Sequence, residues 1–176
     1  MLRPAIFLDR DGTLMQDTGY VSDPALVRLF SGVPEALREV KQLGFLTVIV
    51  TNQSGIGRGY FTRADYDVVH ARFLELLGPG LIDATYLCDD HPDTASDRRK
   101  PAPGMLLEAA RDLGIDLARS WMIGDREADV TAGHRAGAQA ILVLTGEAQT
   151  GEHTLAECVA KDFASAAGHI LKTAHA

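Results

Sequence analysis

The sequence predicts an α/β fold, a doubly wound parallel sheet with helices on both faces. Two observations carry that expectation: short apolar runs that end abruptly in polar or glycine residues, and amphipathic helical stretches that alternate with them. A third is spacing, because the residues between one run and the next are largely consumed by one crossover each. The first run, Ala5-Ile6-Phe7-Leu8, stops at Asp9-Arg10-Asp11-Gly12-Thr13 and reads as a strand buried on both faces. A helix begins near Pro34, a residue suited to a first helical turn, with Val33, Leu37 and Val40 on one face and Gly44 as its stop. Residues 45–50 read as the second strand. Thr62-Arg63-Ala64-Asp65 resembles a capping box with Asp in place of the usual Glu, and the helix it opens is expected to turn Val68, Val69, Phe73, Leu76 and Leu77 toward the core. Strands follow at residues 84–88, 121–123 and 140–144. Between them lie a helix after Pro103, with Met105, Leu106 and Ala109 apolar, and a helix over residues 127–136 closed by Gly137. The tail holds a marginal strand at residues 158–160 and a final helix from about Ser165.

At 176 residues the chain fits one domain, expected to span residues 1–176. A chain of this size buries roughly 70% of its unfolded surface, so no staple is needed. The 24 acidic against 17 basic side chains, net charge −7, argue against nucleic acid or a membrane surface as partner and favour a small molecule. Cys88 and Cys158 lie far apart in unrelated contexts, which implies no disulfide framework and a reducing compartment. Met1-Leu2-Arg3-Pro4 runs straight into the first strand, leaving no room for a signal peptide, and no apolar run approaches the ~20 residues of a membrane helix. A cytoplasmic protein is expected, with a monomer as the default state.

Chemistry is concentrated at the strand ends. Side chains two residues apart in an extended segment point the same way, so Asp9 and Asp11 can serve one substrate together, and Gly12 allows the turn that follows. The second strand ends in Thr51-Asn52-Gln53-Ser54-Gly55, another in Gly124-Asp125-Arg126-Glu127-Ala128-Asp129, and the loop after Cys88 contains Arg98-Arg99-Lys100-Pro101. In a parallel sheet these ends share one edge, where open α/β sheets bind ligands. Asp9, Asp11 and Asp125 would form a hard, oxygen-rich cluster that calls for a cation, and Mg2+ suits such ligands together with phosphate. Donors at Thr51, Asn52 and Lys100 are the kind that hold phosphoryl oxygens, and a carboxylate nucleophile splits one displacement into two.

Phe7-Leu8-Asp9-Arg10-Asp11-Gly12-Thr13, Thr51-Asn52-Gln53-Ser54-Gly55, Lys100-Pro101-Ala102-Pro103-Gly104-Met105 and Gly124-Asp125-Arg126-Glu127-Ala128-Asp129 resemble, in order, the four motifs of the haloacid dehalogenase superfamily of phosphatases. The resemblance covers roughly residues 5 to 145. It implies a Rossmann-like core without a separate cap domain, Asp9 as nucleophile and Asp11 as general acid/base. It also implies Mg2+ held by Asp9, the Asp11 backbone carbonyl and Asp125, with Asp129 beside them, and a phosphate gripped by Thr51, Asn52 and Lys100. Arg99 matches a position associated with the sugar or its second phosphate, and Gln53, Ser54 and Arg58 are further candidates on that face. Within the superfamily, Gly19-Tyr20-Val21 and residues 51–61 resemble the heptose bisphosphate phosphatases, which implies hydrolysis of the 7-phosphate of D-glycero-D-manno-heptose 1,7-bisphosphate. The phosphatases of histidine biosynthesis are near relatives, so histidinol phosphate is the alternative substrate. A phosphoryl-binding protein without turnover is disfavoured because every chemical group is retained.

One departure stands out. Relatives in this subgroup carry a zinc loop, a Cys-x-His pair followed by a Cys-x-Cys pair before the Arg-Lys-Pro segment. Here Cys88 remains, Asp90 stands at the histidine position with His91 after it, and Ser96 and Arg98 replace the second pair. A closed zinc site needs four N/S ligands, so no zinc is expected, and Asp93 and Arg98 are expected to hold the loop instead.

Overall fold

The computed structural model describes residues 2–174. Six strands, β1 (Ala5–Leu8), β2 (Leu46–Asn52), β3 (Ala84–Cys88), β4 (Trp121–Gly124), β5 (Gln139–Val143) and β6 (Cys158–Ala160), form one sheet in the order β3-β2-β1-β4-β5-β6. Every pairing is parallel, so the doubly wound α/β class expected from the sequence is the fold observed. The chain builds outward from β1 to β3, then returns with β4 on the other side of β1. At such a reversal the crossovers leave on opposite faces and open a crevice beyond the strand ends.

The helices are α1 (Val33–Gln42), α2 (Ser54–Gly57), α3 (Arg63–Leu77), α4 (Gly104–Leu113), α5 (Glu127–Ala136) and α6 (Phe163–Ala174). Alternate residues of β1 serve opposite layers: Ile6 and Leu8 pack with Leu37, Phe73 and Ile170, whereas Ala5 and Phe7 pack with Met105, Leu106 and Val130. Each large apolar side chain so buried contributes about 1.5–3 kcal/mol, and the strand that delivers Asp9 is therefore clamped from both sides. Among the described residues, the helical content of the two connections flanking β2 is α1, α2, α3 and a 3-10 turn at Pro24–Leu26.

Several boundaries differ from expectation. β2 runs on through Thr51 and Asn52 because its ladder with β3 continues to Thr51↔Leu87 and Asn52↔Cys88. β5 begins and ends one residue earlier than expected, α6 starts at Phe163, and the short α2 carried no sequence signal. The Thr62 capping box is present, with reciprocal bonds between Thr62 and Asp65. The face of α3 needs correction: Tyr66, Val69, Phe73 and Leu77 are its buried stripe, while Val68 is 56% and Leu76 37% exposed. Each of those two lies one position before a stripe residue, about 100° around the helix. No helix among the described residues is long and apolar enough to cross a membrane, and both cysteines are free.

On α3, His70 stacks between Tyr66 and Phe73, and its Nε2 meets the Thr85 hydroxyl at 3.1 Å. Burial, helped by the Arg10 charge, pushes its pKa down to about 4. The folded protein thus holds His70 neutral where the unfolded chain, near 6.5, takes up a proton. Stability from this site is complete above about pH 6.5 and is lost as pH falls toward 4, a loss on the order of 2 kcal/mol. Urea unfolding of His70→Gln at pH 7 and pH 4.5 should show a smaller drop than the parent protein; equal drops would remove His70 from the pH response.

Candidate active site

The crevice between β1 and β4 collects the charged groups. Leu8 pairs with Ile123, and the Asp9 amide donates to the Ile123 carbonyl at 3.0 Å, so Asp9 and Asp125 leave neighbouring strand ends together. Asp129 comes from the first turn of α5, where one carboxylate oxygen accepts the Arg126 amide at 3.1 Å. Carboxylate oxygens of Asp9, Asp125 and Asp129 lie within 4.8 Å of one another, all three residues buried. Lys100 enters from the loop after β3, and its buried ammonium lies 2.7 Å from Asp9 Oδ1, 2.7 Å from Asp129 Oδ1 and 2.7 Å from the Val50 carbonyl. Three donors meet three acceptors. The Lys100 backbone is fixed separately by Asn52, whose amide side chain donates to its carbonyl and accepts from its N–H.

Electrostatics follow from this crowding. Burial pushes the Asp9 carboxyl up, against the pull of the Lys100 ammonium and with Asp129 and Asp125 adding to the rise. Burial opposes the Lys100 charge, but Asp129 and Asp9 outweigh it and hold its pKa above the usual value. Burial likewise raises Asp125, against the Glu147 amide that donates to its Oδ2 at 2.7 Å.

Asp11 takes a different direction. Its carboxylate is turned to the guanidinium of Arg10, 3.0 Å away, and to Gln53, whose Nε2 donates to Oδ2 at 2.7 Å. Gln53 also donates to the Thr51 hydroxyl at 2.9 Å. Arg10 is fully buried and lies 4.9 Å from the centre of the Tyr66 ring. The metal set implied by the resemblance is Asp9, the Asp11 backbone carbonyl and Asp125 with Asp129 beside them; the carboxylates that converge are those of Asp9, Asp125 and Asp129.

Asp9, Asp11, Gln53, Lys100 and Asp129 line a cleft of about 250 Å3 together with Tyr20, Asn52, Ser54 and Arg99, while Thr51 and Asp125 lie outside its lining. Arg58 is exposed and does not line it. Sequence reasoning gave no role to Arg10, to Arg126, which lines the cleft and pairs with Glu147 at 3.1 Å, or to the turn after β5. There Thr145 donates to the Gly12 carbonyl and the Glu147 amide meets Asp125. A polar Thr-Gly-Glu run at the end of an apolar strand was the available signal.

The donor set fits a hard divalent cation. Three buried carboxylates face one ammonium, Asp125 Oδ1 is buried without a hydrogen-bond partner, and a Cβ on Gly12 would lie 2.6 Å from Asp125 Oδ2. The loop after β3 does not fit zinc. Cys88 Sγ sits 3.4 Å from Asp90 and 3.7 Å from the Ser96 hydroxyl, and Arg98 brings a cation where a fourth ligand would be needed. Of the two residues expected to hold this loop, Arg98 bonds the Leu87 carbonyl and Glu108, while Asp93 reaches only His91 at 3.6 Å.

Sheet order, crevice and acid–lysine cluster together define a hydrolase-type α/β core, and known proteins agree. A family model described as "HAD-hyrolase-like" matches residues 97–166. The D-glycero-beta-D-manno-heptose-1,7-bisphosphate 7-phosphatase of Yersinia pestis is 43% identical over 159 residues, 85% of each chain. The D-glycero-alpha-D-manno-heptose-1,7-bisphosphate 7-phosphatase of Burkholderia mallei is 36% identical over 173 residues, 92% of this chain and 90% of that one. A crystal structure of D,D-heptose 1,7-bisphosphate phosphatase from B. bronchiseptica, complexed with magnesium and phosphate, superposes with TM-score 0.86 at 34% identity, covering 97% of this chain and 99% of that chain. The chain belongs to the haloacid dehalogenase family. It is a phosphoric monoester hydrolase, as its relatives are.

Glycines make room for the acids. A Cβ on Gly146 would collide with the Asp125 carboxylate, although its backbone is one that alanine adopts freely. Gly146→Ala should therefore displace Asp125 and lower phosphate release about 100-fold. Gly168→Ala, in α6 with open space around it, should leave release unchanged and add about 0.5–1 kcal/mol of stability. Equal activity of the two variants would show that Asp125 tolerates the shift.

Proposed function

We propose that the protein is a Mg2+-dependent phosphatase that removes the 7-phosphate of D-glycero-D-manno-heptose 1,7-bisphosphate through an aspartyl-phosphate intermediate. Residues 1–176 act in this proposal as one domain, a monomer in the cytoplasm. The single observation that carries it is the Lys100 ammonium shared by Asp9 and Asp129 next to Asp125, because it presents one carboxylate oxygen beside a fixed cation among the buried groups that line the cleft.

The Asp9 carboxylate attacks phosphorus, and the bond from phosphorus to the sugar oxygen breaks. Asp11 gives its proton to that leaving oxygen, then takes one from the water that attacks the phosphoaspartate, freeing phosphate and regenerating Asp9. Lys100 carries charge that builds on the phosphoryl oxygens, with Thr51, Asn52 and Ser54 as donors around them. Gln53 and Arg10 keep the Asp11 carboxyl in place between the two half-reactions. Arg99, on the cleft wall, contacts the substrate away from the reacting group. Mg2+, which Asp9, Asp125 and the Asp11 backbone carbonyl would hold with Asp129 alongside, supplies charge neutralisation that lets an anion approach an anion.

Substrate choice resides in loops rather than in the shared catalytic groups. Phosphate release should be fastest with a heptose 1,7-bisphosphate, the two anomers compared side by side, and slow with histidinol phosphate. A higher kcat/KM on histidinol phosphate would overturn the substrate assignment. Asp9→Asn should reduce turnover at least about 1,000-fold with folding intact, and retained turnover would overturn the chemistry. Mg2+ at 100 times its Kd should stabilise the folded protein by about 2.7 kcal/mol, and Asp125→Asn should lose most of that gain. An undiminished gain in Asp125→Asn would place the cation elsewhere.

A further inference from the structure

Arg99 and Lys100 are adjacent in the chain yet are held by different parts of the fold. Lys100 is tied to β2 through Asn52 and to the acids through its ammonium. Arg99 is anchored from the other side. The Ser96 hydroxyl oxygen accepts the backbone N–H of Arg98 at 3.2 Å and of Arg99 at 3.1 Å, and it also approaches Cys88 Sγ. The Arg98 guanidinium spans two elements, donating to the Leu87 carbonyl in β3 at 2.9 Å and pairing with Glu108 in α4. Below them Gly104 donates to the Asp97 carbonyl, and a side chain at Gly104 would strike that same peptide. The segment from Ser96 to Lys100 is thus braced against β3 and the start of α4. Arg99 leaves this brace toward the cleft, where its buried Nη1 has no hydrogen-bond partner.

We infer that Ser96 and Arg98 are positioning residues which form a clasp that aims Arg99 into the cleft and thereby sets binding of the substrate beyond its reacting phosphate. The inference rests on the proposed contact between Arg99 and substrate. Its physical basis is the split anchoring: loosening the clasp moves Arg99, whereas Asn52 and the acids keep Lys100 in register. The ion pair with Glu108 is half-exposed and supplies little by charge alone, so what counts is the planar fork that reaches two elements at once, a geometry lysine does not reproduce.

The test is steady-state kinetics of the full chain with a heptose bisphosphate and with phenyl phosphate, a substrate with no hydroxyls or second phosphate for Arg99 to bind. Ser96→Ala and Arg98→Ala should each raise KM for the bisphosphate about 10-fold with kcat within about 2-fold, the signature of lost uniform binding. Both values for phenyl phosphate should stay near the parent's. Ser96→Thr should restore KM, Arg98→Lys should not, and Arg98→Ala should add nothing to Arg99→Ala. If Arg99→Ala raises KM and the clasp variants do not, the clasp is overturned while the Arg99 contact stands. Clasp variants that lower kcat on both substrates equally would reduce Ser96 and Arg98 to scaffold. An unchanged KM in Arg99→Ala would overturn the Arg99 contact and the clasp's effect with it.

Discussion

The site depends on one buried ammonium. Lys100 pairs with both Asp9 and Asp129 where all three are largely buried, and its third proton goes to the Val50 carbonyl. Removing one partner from such a pair costs about 3–5 kcal/mol, because it strands an uncompensated charge. The surrounding fold is arranged to keep that from happening. Asp129 uses one oxygen for Lys100 and the other for the amide of Arg126, the residue that caps α5, so a single carboxylate both closes the start of a helix and balances the lysine. Gly124 has no side chain because Asp129 occupies the space a Cβ would need. Asp125 accepts the Glu147 amide from the turn after β5 at one oxygen, yet keeps the other unpaired.

A second buried cation, Arg10, does for Asp11 what Lys100 does for Asp9, but through a different surface. Its face lies over Tyr66 of α3, a desolvated cation–π contact worth about 2 kcal/mol. The helix that closes one layer of the core therefore also supports the acid that faces the substrate. The two acids of the Asp-Arg-Asp stretch are held apart by opposite partners, Lys100 from the sheet crevice and Arg10 from the helical layer. In a protein of net charge −7 the cleft sets Arg99, Lys100 and Arg126 beside Asp9, Asp11, Asp17 and Asp129, so each acid there has a cation close by.

Much of this was legible in the chain. Apolar runs ending in polar residues located five strand ends, and a parallel sheet made their convergence a geometric necessity, which is why Asp9, Asp125, Lys100 and Asn52 were found as candidates. What stayed hidden needed tertiary knowledge. The resemblance places Asp129 beside the metal ligands, but its spacing says nothing about a lysine arriving from another crossover. The Thr145–Glu147 turn gained meaning only once β5 was known to lie beside β4. Val68 and Leu76 misled because α3 carries apolar residues on more than one face, so composition overstated its buried stripe. The direction of Asp11 was missed since an i, i+2 rule holds within a strand, and β1 ends at Leu8.

The register of β1 on β4 has one more consequence. Asp9 and Asp125 are spaced by a backbone ladder, with neighbouring strands about 4.8 Å apart, rather than by flexible side chains. A deletion or insertion of one residue inside either strand would flip its buried side chains to the other face and shift where its acid emerges. Changes of chain length that leave this spacing intact are thus confined to the loops, while the ruler beneath stays the same.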